Sequence, residues 1–306
     1  MPGTGRFAPS PSGELHVGNL RTAALSWLVA RSTGRAFLLR IEDLDEQRSR
    51  EHHAQRQIAD LQAIGLDWDT EPVWQSTRLD AYRQALEALV ASGHTYECYC
   101  SRKEIREAQS APHAAGRYPG TCRDLTDAER AAKRAATDRP PTIRLRGDDA
   151  QRSWDDLVLG FQTGVVDDVV LERWDGALAY NLAVVVDDLW QRVDQVVRGD
   201  DLVDQTATQL LLSELISQKK APLIEYGHVP LVLNPEGRRL AKRDGAVTLG
   251  DLADRGVDTP EVVRTMLRSM GEAVQPGART LREAIDGFDV TQLRRTPWIF
   301  TPPSDC

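Results

Sequence analysis

The sequence predicts an α/β fold: a doubly wound parallel sheet, broken by an inserted segment of different character and closed by a small helical module. Three observations predict it. Over residues 1–95, short apolar runs alternate with stretches of helical period. From about 95 to 148 that alternation gives way to loop residues, three cysteines and many arginines, and it resumes near Ala179. Beyond residue 234 the pattern is mostly helical. The expected organisation is a first half of the sheet domain at 1–95, an α+β insertion at 96–175, a second half at 176–233 and a terminal module at 234–306.

Arg6-Phe7-Ala8-Pro9 is an apolar strand stub that enters a Ser/Pro/Gly loop and then His16-Val17-Gly18-Asn19. Residues 19–33 place Leu20, Ala23, Ala24, Trp27, Leu28 and Ala30 on one helical face, with Asn19 able to cap. Ala36–Ile41 is a continuous apolar run, as in a strand covered on both faces. Helical period returns over 47–64 (Ile58, Leu61, Ile64), with Gly65 as the stop, and over Ser76–Ser92, closed by Gly93. Within the insertion, Thr142–Arg146 and Val165–Leu171 read as short strands. Ala179–Val186 and Val193–Val197 read as strands and 204–218 as a helix. A strand at Leu231–Leu233 enters the turn Asn234-Pro235-Glu236-Gly237 and the basic loop Arg238-Arg239-Leu240-Ala241-Lys242-Arg243.

The 306 residues carry a formal charge of −8, which excludes a chain that coats nucleic acid by bulk charge but permits a local basic patch. No apolar stretch is long enough for a membrane span, and the first residues lack an apolar signal core, so a cytoplasmic protein without membrane partners is expected. Of the four cysteines, Cys98, Cys100 and Cys122 cluster while Cys306 ends the chain. In such a protein the cluster reads as metal-binding, its plain alternative being three reduced structural thiols.

The N-terminal stretch has the order strand, glycine-bearing loop, helix. That order presents free backbone N–H groups, and here a histidine, at a helix start where phosphates bind. H-x-G alone is a weak signal, and a solvent-facing histidine in a turn is the plain alternative. Gly13 and Gly18 permit close approach of a ligand, and Lys242 recurs in a basic loop after a late strand. His16 and Lys242 can therefore serve the phosphates of one nucleotide from two sides.

HVGN resembles the first signature of class I aminoacyl-tRNA synthetases, and RLAKR the second. RFAPSPSGELHVGN, RIEDLD, AYNLAVVVDD and VVRGDDLVDQT are similar to the glutamyl-tRNA synthetase group, in order and over nearly the whole chain. The resemblance implies a Rossmann-like catalytic domain with an inserted acceptor-binding subdomain. Within the group, the short region after the lysine loop, the C-x-C cluster and the RGDDLVDQT wording resemble the queuosine-directed branch. Its members activate glutamate with ATP and Mg²⁺ and esterify the queuosine base in the anticodon loop of tRNA(Asp). A monomer is expected. The rival readings are a shortened synthetase that charges a tRNA 3′ end and a silent paralogue that only binds glutamate or tRNA.

Carried over by resemblance, catalysis falls on His16 and Lys242, and ATP binding on His16, Gly18, Asn19 and Lys242. Glutamate binding falls on Arg6, Ala8, Ser10, Glu42, Tyr180 and Arg198. The types suit the substrate. Arginines bind carboxylates as forks, Glu42 and Ser10 accept from an ammonium, and Tyr180 offers a hydroxyl. The plain alternatives are a Glu42 salt bridge to Arg40 or Arg21 and an Arg198 surface pair with Asp200 or Asp201. One departure stands out. Val184 occupies the place, four residues after the tyrosine, where complete glutamyl-tRNA synthetases carry asparagine. The resemblance also implies a structural zinc on Cys98, Cys100, Cys122 and the Tyr118 oxygen, with His94 and His113 as ordinary alternatives for the fourth ligand. The arginine-rich insertion is expected to meet RNA as a whole, although 127–138 is equally a solvated charged helix, and its aromatics are too few for a stacking platform.

Overall fold

The computed structural model describes residues 3–101, 103–105, 117–217, 223–240 and 247–301. Its centre is a seven-stranded sheet. In spatial order the strands are β3 (Val73–Trp74), β2 (Ala36–Ile41), β1 (Thr4–Phe7), β9 (Gln195–Gly199), β10 (Glu225–Val229), β6 (Gln151–Asp156) and β7 (Gly160–Val165). Neighbours pair in parallel except β7, which returns antiparallel along β6.

β1 and β2 pair from Thr4↔Ala36 to Phe7↔Leu39, and α1 (Val17–Ser32) is the crossover between them. Leu20, Ala23, Ala24 and Leu28 of α1 are fully buried, the alanines letting the helix lie close on the sheet. The N-cap of α1 is His16, not Asn19. His16 Nδ1 accepts from the Asn19 N–H at 3.2 Å, and Asn19 Oδ1 accepts from the His16 N–H at 3.3 Å. This is a reciprocal capping box in which His and Asn replace the usual Ser/Thr and Glu. α2 (Glu51–Ala63) and α3 (Leu79–Ala91) start later than their apolar periods suggest. Gly65 and Gly93 follow them with φ of +93° and +75°, the left-handed conformation that ends a helix cheaply only at glycine.

Two elements differ from expectation. Ala179–Val186 is no strand, because Tyr180–Trp190 is a helix, α5. A short apolar run reads alike in both states when it is covered all round, and Leu182–Val186 are buried in the core shared with α3 and α6 (Thr206–Ser217). Val165–Leu171 is likewise divided between the end of β7 and β8 (Val170–Glu172), with a connection between them.

Within 96–175 the chain does two things. The hairpin β6–β7 extends the central sheet, whereas β4 (Thr95–Cys98), β5 (Thr142–Leu145) and β8 form a separate antiparallel sheet. Beside that smaller sheet, α4 (Asp127–Ala135) buries no residue, which matches a charged solvated helix. Beside this small sheet Tyr96, Cys98, Tyr118 and Cys122 form a small buried cluster with Cys100, Ile105 and Leu125 packed against it, while Leu145 of β5 and Leu171 of β8 join the larger core.

The terminal module contains α7 (Leu249–Asp254), α8 (Thr259–Met270) and α9 (Leu281–Ile285). It packs Met266, Met270, Leu281 and Ala284 into the core around α1. β11 (Val232–Leu233) and β12 (Trp298–Ile299) pair in parallel beside it. Among the described residues no helix is long and apolar enough to cross a membrane.

Candidate active site

The candidate residues gather at the carboxyl ends of the parallel strands, where open α/β sheets bind ligands. The loop after β1 is drawn down by α2. Gln57 Nε2 donates to Ser10 O at 3.1 Å and to Gly13 O at 2.6 Å. Just past the end of β2, the Glu42 N–H donates to Pro9 O at 2.9 Å. Ser10 and Glu42 are thereby held close together, although 32 positions separate them in the chain.

Beneath them lies a cluster of buried charge. Arg6 meets Asp188 of α5 at 3.2 Å. Arg40 bonds Asp188 at 2.7 Å and Gln191 at 2.8 Å, and it reaches Glu42 at 3.5 Å. The Arg40 alternative for Glu42 is thus present. Arg21 goes elsewhere, to Ser269 at 2.8 Å and Pro230 O at 3.1 Å. Burial alone would push the Asp188 carboxyl up, but Arg6 and Arg40 outweigh it and hold it below the ordinary range. Glu42 falls on the other side of that balance. Burial pushes it up to about 7 against the pull of Arg40 and Arg6. Burial also raises the Tyr180 phenol, with Glu42 adding to the effect. Glu42 is therefore the one member of this cluster poised to change charge near neutral pH.

Arg198 on β9 makes no pair with Asp200 or Asp201 and is 5% exposed. Its Nε donates to His228 Nε2 at 3.0 Å, Nη1 to Gln209 Oε1 at 2.6 Å, and Nη2 to Thr206 Oγ1 at 2.8 Å and Leu202 O at 3.2 Å. Behind it, His228 Nδ1 lies 2.5 Å from Asp156 Oδ2. Asp156 Oδ1 accepts the N–H groups of Val158, Leu159 and His228, each at 3.0 Å. Arginine can only donate, so His228 Nε2 is an acceptor and its hydrogen sits on Nδ1, facing Asp156. Burial holds the His228 pKa below its ordinary value, consistent with a neutral ring. Sequence reasoning missed His228, Asp156 and Gln209. A lone histidine and aspartate among apolar residues carry no local signal, and only the adjacency of β10, β9 and β6 joins them.

Ser10, Glu42 and Tyr180 line one cavity of about 1040 Å³, which continues past Arg144 and Cys100 to Arg139 and Trp174 on the small sheet's side. Arg6 and Arg198 belong to the buried layer around it, since both act on the Tyr180 phenol. Ala8 is half-buried in the loop after β1. Val184 lies one helical turn beyond Tyr180 on α5 and is 1% exposed.

The phosphate-type residues stand at the start of α1. Accepting the Asn19 N–H through Nδ1 leaves the ring hydrogen of His16 on Nε2, so the ring presents a donor. Gly18 makes room for that ring. A Cβ there would lie 2.9 Å from His16 ring atoms and 3.3 Å from Val232 Cβ. Lys242 lies outside the described residues. Its loop leaves at Leu240, whose N–H donates to Val232 O at 3.1 Å, and returns at Val247, whose O accepts from the Val17 N–H at 2.8 Å. Both ends of the lysine loop are thus tied to strand and helix beside His16.

Cys98, Cys100 and Cys122 bring their sulfurs within 4.8 Å of one another. The Tyr118 hydroxyl lies 3.3 Å from Cys98 Sγ and 3.4 Å from Cys100 Sγ, and it accepts the Cys122 N–H at 3.2 Å. Three thiols and a phenol oxygen at these separations fit a four-ligand zinc centre after small adjustments. Hydrogen bonds from Cys100 and Cys122 pull the Cys98 thiol down while the same contacts push the Cys100 thiol up, so without a metal the cluster favours one thiolate, on Cys98. His113 lies outside the described residues.

Comparison with known proteins identifies the family. The family model described as the catalytic domain of class I tRNA synthetases (E and Q) matches residues 4–302. Two similar proteins are each named glutamyl-Q tRNA(Asp) synthetase. One, from Nocardia farcinica, is 53% identical over 99% of this chain and 96% of its own length. The other, from Symbiobacterium thermophilum, is 45% identical over 96% and 94%. Among solved structures, the glutamate-tRNA synthetase of Elizabethkingia anophelis superposes with a TM-score of 0.79 at 26% identity, over 98% of this chain and 68% of that one.

Proposed function

The chain belongs to the class I tRNA synthetases of the glutamate and glutamine type, and on that premise we propose that it activates L-glutamate with ATP, without tRNA, and transfers it to the queuosine base of tRNA(Asp). The observation that carries the amino-acid half is the charge pattern under the cavity. Buried guanidinium groups at Arg6, Arg40 and Arg198 surround two carboxyls, Asp188, which pairs with Arg6 and Arg40, and Glu42, which stands beside Ser10 and Tyr180. A substrate with two carboxylates and one ammonium is the complement of that pattern. The acceptor half is supported by the names of the two relatives.

In this reading the substrate α-carboxylate oxygen attacks the α-phosphorus of ATP. The new P–O bond forms as the bond to the leaving pyrophosphate breaks. His16 Nε2–H and the ammonium of Lys242 take up charge developing on the phosphates, alongside the Mg²⁺ that arrives with ATP. Glu42 accepts from the substrate ammonium and Ser10 helps hold it. Val184 offers the substrate no hydrogen bond. In the second step a queuosine hydroxyl attacks the activated carbonyl, loses its proton, and displaces AMP. The arrangement positions and stabilises rather than supplying a general base. Cys98, Cys100, Cys122 and Tyr118 would hold zinc, which would cross-link the small buried cluster beside β4.

Exchange of labelled pyrophosphate into ATP, with glutamate present and tRNA absent, tests the first step. Exchange that depends on glutamate and is lost in Lys242→Ala is expected. Absence of exchange in the intact protein would leave only a binding role.

A further inference from the structure

The cavity is larger than an amino acid needs. At about 1040 Å³ it reaches the upper end of ordinary small-molecule sites, and in the reading above glutamate occupies only the part near Ser10, Glu42 and Tyr180. The outer part carries the opposite charge and an open aromatic face. Trp174 lines it with 44% of its surface exposed, although an indole of that size is usually packed. The turn that carries Trp174 is fixed. The Gly176 N–H donates to Arg173 O at 2.9 Å, the Arg173 N–H donates to Ala177 O at 2.9 Å, and Gly176 takes φ +82°, which suits glycine. A few residues later the same segment starts α5 at Tyr180.

Two guanidinium groups accompany the indole. Arg139 is exposed, with its Cζ 5.9 Å from the Trp174 ring centroid. Arg144 is 7% exposed and lines the cavity. Its Nη1 donates to Asp168 O at 2.7 Å and its Cζ lies 3.8 Å from the Tyr118 ring centroid, which holds the guanidinium at the wall. A fixed cation on a cavity wall suits an anion. Glu42 and Asp45 stand on the inner wall, whereas Arg139 and Arg144 stand on the outer one.

We propose that the outer part of the cavity is the subsite for an incoming RNA nucleotide, whose base stacks on Trp174 and whose phosphate is held by Arg139 and Arg144. An aromatic face beside cationic forks is the arrangement by which unpaired nucleotides are bound. Counting aromatics along the insertion misses this, because one indole in the right place suffices. The proposal rests on the reading that RNA is the glutamate acceptor.

Trp174→Ala, Trp174→Phe and Arg139→Ala test it in the full-length, zinc-loaded protein. Pyrophosphate exchange without RNA is expected to stay within about twofold of wild type in all three. The KM for queuosine-bearing tRNA(Asp) in glutamate transfer should rise about tenfold or more in Trp174→Ala and much less in Trp174→Phe. Arg139→Ala should weaken binding of a fluorescent anticodon stem-loop RNA of tRNA(Asp) and reduce its salt dependence by about one phosphate contact. An unchanged tRNA KM in Trp174→Ala, or an equal loss of pyrophosphate exchange, overturns the subsite. The binding assay separates the two claims. If wild type transfers glutamate to no RNA but binds the stem-loop in a Trp174-dependent way, the acceptor reading fails and the subsite stands. If wild type and Trp174→Ala bind the stem-loop equally, or neither binds it, the subsite fails.

Discussion

Arg198 donates its Nε–H to Nε2 of His228 at 3.0 Å, and the far side of the same imidazole is held by Asp156 at 2.5 Å. A long, flexible side chain on β9 is thereby turned into a fixed fork by the next two strands of the sheet, β10 and β6. The fork's position depends on a histidine that need not touch substrate. Replacing His228 by Phe leaves the guanidinium without this acceptor. Losing one hydrogen bond to a buried charge costs about 1.5–3 kcal/mol, so the KM for glutamate should rise about tenfold or more, with kcat changed far less. His228→Gln, which can still accept, should recover part of the loss. Steady-state pyrophosphate exchange against glutamate concentration reads both.

Glu42 gives the site its pH dependence. Its carboxyl is raised to about 7 from an ordinary 4.5 by burial, against Arg40 and Arg6. A folded-state pKa above the unfolded one means that the folded chain binds more protons between these values. Stability contributed by this group therefore falls as pH rises from about 4.5 to about 7. Glutamate binding runs the other way, because only the ionised carboxylate pairs with the ammonium. Thermal denaturation and kcat/KM, measured from pH 5 to 8.5, should show the two opposite trends, and Glu42→Gln should remove the step near 7 from both.

The cysteine cluster makes a compositional prediction. The purified protein should carry about one zinc per chain, and Cys122→Ser or chelation should remove it. Loss of this cross-link should lower Tm by about 3 °C, the effect of losing about 2 kcal/mol in a chain of this size. Far less than one zinc in the wild type, by elemental analysis, would defeat the assignment.

Val184 is buried one turn beyond Tyr180. Val184→Asn should lower the KM for glutamate several-fold by adding a hydrogen bond to the bound substrate. Without glutamate the new amide is buried and unpaired, at a cost of about 1–3 kcal/mol, so Tm of the free protein should fall and be partly restored by substrate. An unchanged or higher KM contradicts this role for the position.

What the sequence discloses depends on how far apart its clues lie. Ala36–Ile41 and α1 are legible because their apolar periods are local and complete. His16 as a helix cap is half-legible, since the H-x-G spacing marks the place but only the geometry shows Gly18 clearing the ring. Tyr180–Trp190 is misread because an apolar run buried on all sides has no distinguishing period, and its neighbours α3 and α6 are distant in sequence. The Asp156–His228–Arg198 chain and the Arg6–Asp188–Arg40 cluster are invisible along the sequence, because each is assembled from separate strands or helices.

The most direct test of the account is transfer of labelled glutamate to tRNA(Asp), prepared with and without queuosine, followed by mapping of the labelled nucleotide. Label is expected only on the queuosine-bearing tRNA and only in its anticodon loop. Equal labelling of both tRNAs, or glutamate on the 3′ end, would contradict it.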